Sequence, residues 1–104
     1  MAQFDVHRNL DPQSRGELPF VVDIQSDLLS HLGSRVVIPL VTAEAQSPPV
    51  SRLNPRVLVQ GRQLLLDTAQ IVGVPKSALG PVVANLMGSR DAVVAAVDVL
   101  IAGV

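Results

Sequence analysis

Cysteine, tryptophan and tyrosine are absent from this chain, and Phe4 and Phe20 are its only aromatic residues. Without cysteine there is no disulfide framework and no thiolate metal site, which suits a reducing cytoplasm. With two aromatic rings and a formal net charge of −1, the chain lacks the stacking platforms and basic grooves that binders of single-stranded nucleic acid use. Direct nucleic-acid binding by the chain alone is therefore not expected. Charge is scarce altogether: 16% of residues are charged, against about 25% in an ordinary domain. No basic segment followed by an apolar run opens the sequence, so no secretory segment is expected. The longest apolar stretch, Ala92–Val104, is broken by Asp98 and too short to cross a bilayer. The expectation is a soluble cytoplasmic protein with no membrane partner, one domain over residues 1–104 with one modest core.

What the chain has is aliphatic. Its residues are 48% hydrophobic, more than a small globule with so little charge can hide, so some apolar surface is expected to be buried in a partner, a second copy first of all. Gln3–Arg8 alternates, with Phe4 and Val6 on one face and Asp5 and His7 on the other, as in a half-buried strand. Asn9–Pro19 collects turn residues and reads as a long, mobile loop. Phe20–Ile24 and Arg35–Leu40 read as strands, and the proline-containing Ala43–Pro55 as a surface loop. Arg56–Gln60 and Arg62–Leu66 flank Gly61 like a tight hairpin, and Ile71–Val74 is a short strand closed by Pro75. Leu79–Met87 stays ambiguous, because its leucines and valines fit a helical face that Pro81 interrupts.

The C-terminal segment predicts a helix with Ser89 as N-cap and Asp91 near its positive end. Val93, Val97, Leu100 and Val104 recur at helical spacing as its inner face, while Asp91, Ala95, Asp98 and Ala102 share the opposite one. Short strands followed by one helix imply a mainly β fold, an SH3-like β-barrel with a C-terminal α-helix.

No catalytic set is legible. His7 and His31 stand apart from any acid, nucleophile or metal-ligand spacing and read as surface histidines. Gly61 and Gly73 read as turn glycines, since no phosphate-binding loop surrounds them. Asp23 and Asp27 read as a solvated turn and not as a carboxylate pair. No catalytic residue, metal ligand or cofactor is expected, and the chain reads as a non-enzyme.

Two blocks carry a resemblance. Val22-Asp23-Ile24-Gln25-Ser26-Asp27-Leu28-Leu29 runs a strand into what reads as an exposed polar turn, and Arg35-Val36-Val37-Ile38-Pro39-Leu40 follows as a nearly all-apolar strand. With Met1-Ala2-Gln3-Phe4-Asp5-Val6 at the start, Val72-Gly73-Val74-Pro75 later and Gly103-Val104 at the end, the chain resembles the CcdB family of bacterial toxins. Their order and spacing carry the likeness, which covers nearly the whole length; Asn9–Pro19 and Val41–Leu53 are least alike. The resemblance implies a homodimeric CcdB/MazF-like barrel that binds the A subunit of DNA gyrase, traps it on cleaved DNA, and is neutralised by a disordered CcdA-like antitoxin. It also implies which residues meet gyrase: Leu28 and Leu29 after the turn, then Ala95, Asp98, Ile101, Ala102, Gly103 and Val104. One position departs from the pattern. The plasmid-borne type ends in Trp-Gly-Ile, and Ala102 stands where its tryptophan anchor would be. Two rivals stay open: an endoribonuclease toxin of the MazF type, for which the scattered arginines would have to converge, and a relative that binds antitoxin without inhibiting gyrase.

Overall fold

Apolar residues at every second position build most of the sheet. The computed structural model describes residues 2–45 and 49–104; Met1 of the first strand block and residues 46–48 of the expected loop lie outside them. Strands β1 (Asp5–Arg8), β2 (Phe20–Asp23), β3 (Ser34–Val41), β4 (Arg56–Val59), β5 (Arg62–Leu66), β6 (Val72–Pro75) and β7 (Val82–Asn85) form one sheet, followed by helix α1 (Arg90–Ala102). The described pairings are antiparallel, in the order β4-β5-β3-β2-β1-β7, with β6 also on β3. The sheet curls into a half-barrel with α1 across its core, as the expected mainly β class requires.

β3 makes the curl possible because it changes partner halfway. Ser34–Val37 pair with β6, whereas Leu40 and Val41 pair with Leu66 and Leu65 of β5. Pro39 sits at the changeover, and its carbonyl accepts from the Asp67 N–H, pointing away from β2. The N–H that proline lacks would point the same way, into the gap between β6 and β5. A proline inside a central strand is tolerated here because it removes a donor that has no ladder partner.

The inward rows are Phe4 and Val6, Phe20 and Val22, Ile38 and Leu40, Val57 and Val59, and Leu64 and Leu66, closed over by Val93 and Ala96 of α1. Two residues of hairpin β4–β5, Gln60 and Gly61, both have positive φ, 52° and 78°. That is the turn whose twist matches paired strands. Gly73, by contrast, lies inside β6 and needs no special backbone.

The ambiguous stretch Leu79–Met87 contains a strand. Pro81 precedes β7 and its carbonyl accepts from the Arg8 N–H, so the proline starts the pairing with β1 instead of breaking a helix. Gly80 makes this approach possible: a Cβ there would lie 2.4 Å from the Arg8 carbonyl oxygen. The segment also covers His7, which is 1% exposed and donates Nδ1–H to the Gly80 carbonyl at 2.9 Å. The expectation of a surface histidine is thus overturned for His7. Strand alternation put it on the outer face correctly, but that face is roofed by the returning chain.

The other reading that fails is the solvated Asp23. Asp23 and Arg35 form an ion pair at 2.7 Å with both side chains at 0% exposure. Removing one partner strands the other charge in the interior, so Asp23→Ala should cost about 3–5 kcal/mol in urea unfolding. The apolar double variant Asp23→Leu/Arg35→Met should lose less than Asp23→Ala alone; a larger loss would mean that the pair itself is a strong net stabiliser.

Candidate functional site

The segment after β2 is built as a bracket. Asp23 Oδ1 accepts the Gln25 N–H at 3.0 Å, so the buried acid that holds Arg35 also starts the turn. Gln25 is 6% exposed. Its Oε1 accepts the Val36 N–H at 3.0 Å and its Nε2 donates to the Leu29 carbonyl at 2.9 Å, tying the turn to β3. Ser26 accepts from the Leu28 N–H at 3.2 Å, capping a single 3-10 turn over Asp27–Leu29. Asp27 Oδ1 accepts the Gln3 N–H at 2.9 Å, and Gln3 Nε2 donates back to the Ile24 carbonyl at 3.1 Å. The expected exposed polar turn is corrected accordingly: Gln25 is buried, and Gln25, Ser26 and Asp27 are the frame. What the frame presents is apolar, Leu28 at 88% and Leu29 at 44% exposure.

Asp5 fastens the strand beside this bracket. Its carboxylate accepts from Ala2 N–H at 2.8 Å and Asn85 Nδ2 at 3.0 Å. Partial burial pushes its pKa up, but these hydrogen bonds and nearby positive charge together hold it below the ordinary carboxylate value. The small stabilisation that follows is complete above the unfolded carboxylate pKa and fades as pH falls through the lowered one.

The helix supplies the second part. Val93 and Ala96 are buried, Val97 and Leu100 half-buried, and Ala95, Asp98, Ile101 and Ala102 exposed. Val104 leaves the inner row that helical spacing gave it: it is 75% exposed, because Gly103 turns the chain at φ 79°. Gly103 returns its N–H to the Val99 carbonyl at 3.0 Å, a left-handed cap that any other residue would adopt under strain. Ser89 precedes the helix without capping it through its side chain. The chain enters α1 from a 3-10 turn at Met87–Ser89, which Asn85 caps instead by accepting the Met87 N–H at 2.8 Å.

A depression of about 130 Å³ joins the two parts, lined by Gln3, Phe4 and Ile24 below the turn and by Val93, Val94, Val97 and Asp98 on the helix. Of the residues named from the sequence, Asp98 is the one in this lining; Ala95 and the Ile101–Val104 tip stand outside it. Gln3 and Phe4 were missed as parts of the site. Phe4 is buried with φ 69°, a left-handed conformation that costs a phenylalanine about 1–2 kcal/mol, and nothing in local sequence announces it. Among the described residues no group of three or more His, Cys, Asp or Glu gathers that could hold a metal ion.

Because Asp27 ties the turn to Gln3, Asp27→Ala should cost about 1 kcal/mol and speed hydrogen exchange of the Gln3 amide several-fold. Unchanged exchange would mean that the bracket is held elsewhere.

The family model described as CcdB protein matches residues 3–103. The chain belongs to the CcdB family, whose members are toxins of toxin–antitoxin modules, typically gyrase poisons and not catalytic enzymes.

Proposed function

From that membership we propose that this toxin works as a homodimer that binds the A subunit of DNA gyrase and is neutralised by a cognate CcdA-like antitoxin. The observation that supports the reading best is the pair of apolar tips held out on rigid supports: Leu28 at 88% exposure on its bracket, and Ile101 at 78% and Val104 at 75% at the helix end. Single exposed aliphatic residues are ordinary, and Leu58 at 68% is another. The weight lies in Leu28 standing beside Leu29 and Ile101 near Val104, since grouped apolar surface marks interaction sites. Burying one such side chain fully in a partner contributes about 1.5–3 kcal/mol. The supports lower the entropic cost of presenting them.

The mechanism is binding without bond-making. Leu28, Leu29 and Ile101 supply apolar area, Asp98 a carboxylate for a basic group on the target, and Ala95 and Ala102 a smooth helix face against which a second helix can lie. Gly103 ends the helix so that Val104 projects beyond it. Without an indole at position 102 the interface lacks a large central anchor of the kind that dominates many complexes. Affinity then rests on several small aliphatic contacts.

The homodimer should appear in light scattering at micromolar concentration as about twice the 11.0 kDa chain; a single-chain species alone would count against it. For the target, three proteins are compared in gyrase binding and DNA-cleavage assays. Loss of Gly103 and Val104 should abolish inhibition with little change in melting temperature. Ala102→Trp should tighten binding by about 1–2 kcal/mol where an arginine faces the ring, roughly tenfold. Truncated protein that poisons as well as wild type would misplace the stripe. Sequence-specific RNA cleavage lost on substitution of the exposed His31 would replace the gyrase reading with the ribonuclease one.

A further inference from the structure

Three of the scattered arginines come together at the end of the half-barrel away from the bracket. Arg8, Arg15 and Arg62 line one open depression of about 280 Å³ with Asn9, Pro19 and Phe20. Two of them occupy positions that the strand pattern reserves for core residues. Arg8 continues the inward row of Phe4 and Val6, and it pairs across the ladder with the buried Phe20. Arg62 continues the inward row of Leu64 and Leu66 and pairs with the buried Val59. Both rows run out at the lip of the barrel, where the apolar floor ends and the guanidinium groups reach past it. The Arg8 guanidinium lies 5.9 Å from the centre of the Phe20 ring, so the ring holds that stem in place from below.

Arg15 joins them from the loop between β1 and β2. That loop is bonded within itself: Asn9 donates to the Ser14 hydroxyl and the Leu18 carbonyl, and the Arg15 N–H is held by the Asp11 carbonyl. The acids of the same loop do not pair with them: Asp11 accepts the Gln13 N–H and the Ser14 hydroxyl, and Glu17 is in no ion pair among the described residues. Among the described residues the ion pairs are Asp23–Arg35 and Arg90–Asp91, and none includes Arg8, Arg15 or Arg62.

Three arginines that line one depression and make no ion pair among the described residues favour an anion there. We propose that Arg8, Arg15 and Arg62 form a binding site for the phosphate or pyrophosphate group of a small ligand. A tetrahedral, multiply charged oxyanion offers enough acceptors for three forked donors, more than one planar carboxylate does. A nucleic-acid strand is disfavoured, because Phe20 is 2% exposed and Phe4, the other phenyl ring, 1%, so neither can stack a base. The site shares no residue with the helix-and-bracket depression. It lies at the Arg8 end of β1 and the Phe20 end of β2, whereas Gln3, Phe4 and Ile24 lie at the opposite ends of the same strands. A ligand here can therefore be held whether or not the other face is occupied, and the proposal does not depend on the gyrase reading.

The test is calorimetric titration of the intact protein with inorganic phosphate and with pyrophosphate, repeated on Arg8→Gln, Arg15→Gln and Arg62→Gln, with Arg52→Gln as the control. Arg15 and Arg62 lie on a loop and a hairpin end, so at least these two variants should fold as wild type, checked by urea unfolding. Expected is saturable, salt-sensitive binding of pyrophosphate or phosphate, weakened about tenfold or more by each of the three substitutions and unchanged by Arg52→Gln. No saturable binding of either anion, or equal weakening by Arg52→Gln, overturns the site. A mixed-sequence single-stranded oligonucleotide held by the same three arginines more tightly than pyrophosphate overturns the small ligand as occupant.

Discussion

Two opposite charges with no exposure to water, Asp23 at the end of β2 and Arg35 near the start of β3, set the geometry of the turn that presents Leu28. Such a pair contributes little net stability, because desolvating both ions offsets most of their attraction. What it contributes is position. Asp23 has one oxygen on Arg35 Nε and the other on the Gln25 N–H, and Arg35 Nη2 reaches the Gln25 carbonyl at 3.4 Å. Gln25 is thereby clamped through its backbone, and its side chain passes the constraint to Val36 and Leu29. A buried apolar pair could fill the same volume but could not fix the direction in which the turn leaves the sheet. Arg35 Nη1 and His7 Nε2 are buried with no hydrogen-bond partner among the described residues.

The partner change along β3 separates the two ends of the molecule at which binding is proposed. At its N-terminal half β3 is flanked by β2 and β6, and the bracket and helix depression gather nearby. At its C-terminal half it is flanked by β2 and β5, and the arginine lip opens beyond Leu40 and Leu66. One strand therefore carries two faces of different chemistry, apolar at one end and cationic at the other. A flat sheet of the same strands would have left both rows in continuous register and would not have closed a core under α1.

Much of this fold was legible because it rests on local alternation. β1 to β5 lie where the residue pattern predicts strands, within a residue or two at their ends, and the Gln60–Gly61 turn lies where Gly61 places it. What failed depended on contacts distant in sequence. His7 looked exposed because its cover, Gly80, is 73 residues away; Asp23 looked solvated because Arg35 is 12 residues away. β7 was obscured by Pro81, whose role is visible only once β1 is beside it. On the helix the exposed face was readable from spacing, but Val104 was not, since the Gly103 cap ends the periodicity that assigned it. Of the candidate surface, the display of Leu28 could be guessed, while the frame of Gln3, Gln25 and Asp27 behind it could not. The arginine lip was invisible for the same reason, being assembled from three separate segments.

The absence of an aromatic at position 102 changes where binding energy must come from. A single indole anchor tolerates a loose surround, because one well-filled pocket can supply most of an interface's energy. Small aliphatic side chains cannot act this way: each contributes at most a few kcal/mol, and only if it arrives already in place. Rigid support is then a requirement of the interface. The clamped turn, the left-handed cap at Gly103 and the strained backbone at Phe4 are three costs that folding meets in advance, all beside the surface in question. Gln60 (φ 52°) also takes a left-handed backbone, in the β4–β5 hairpin, but the clamped turn, the Gly103 cap and Phe4 all adjoin one face, which fits the binding role proposed for it.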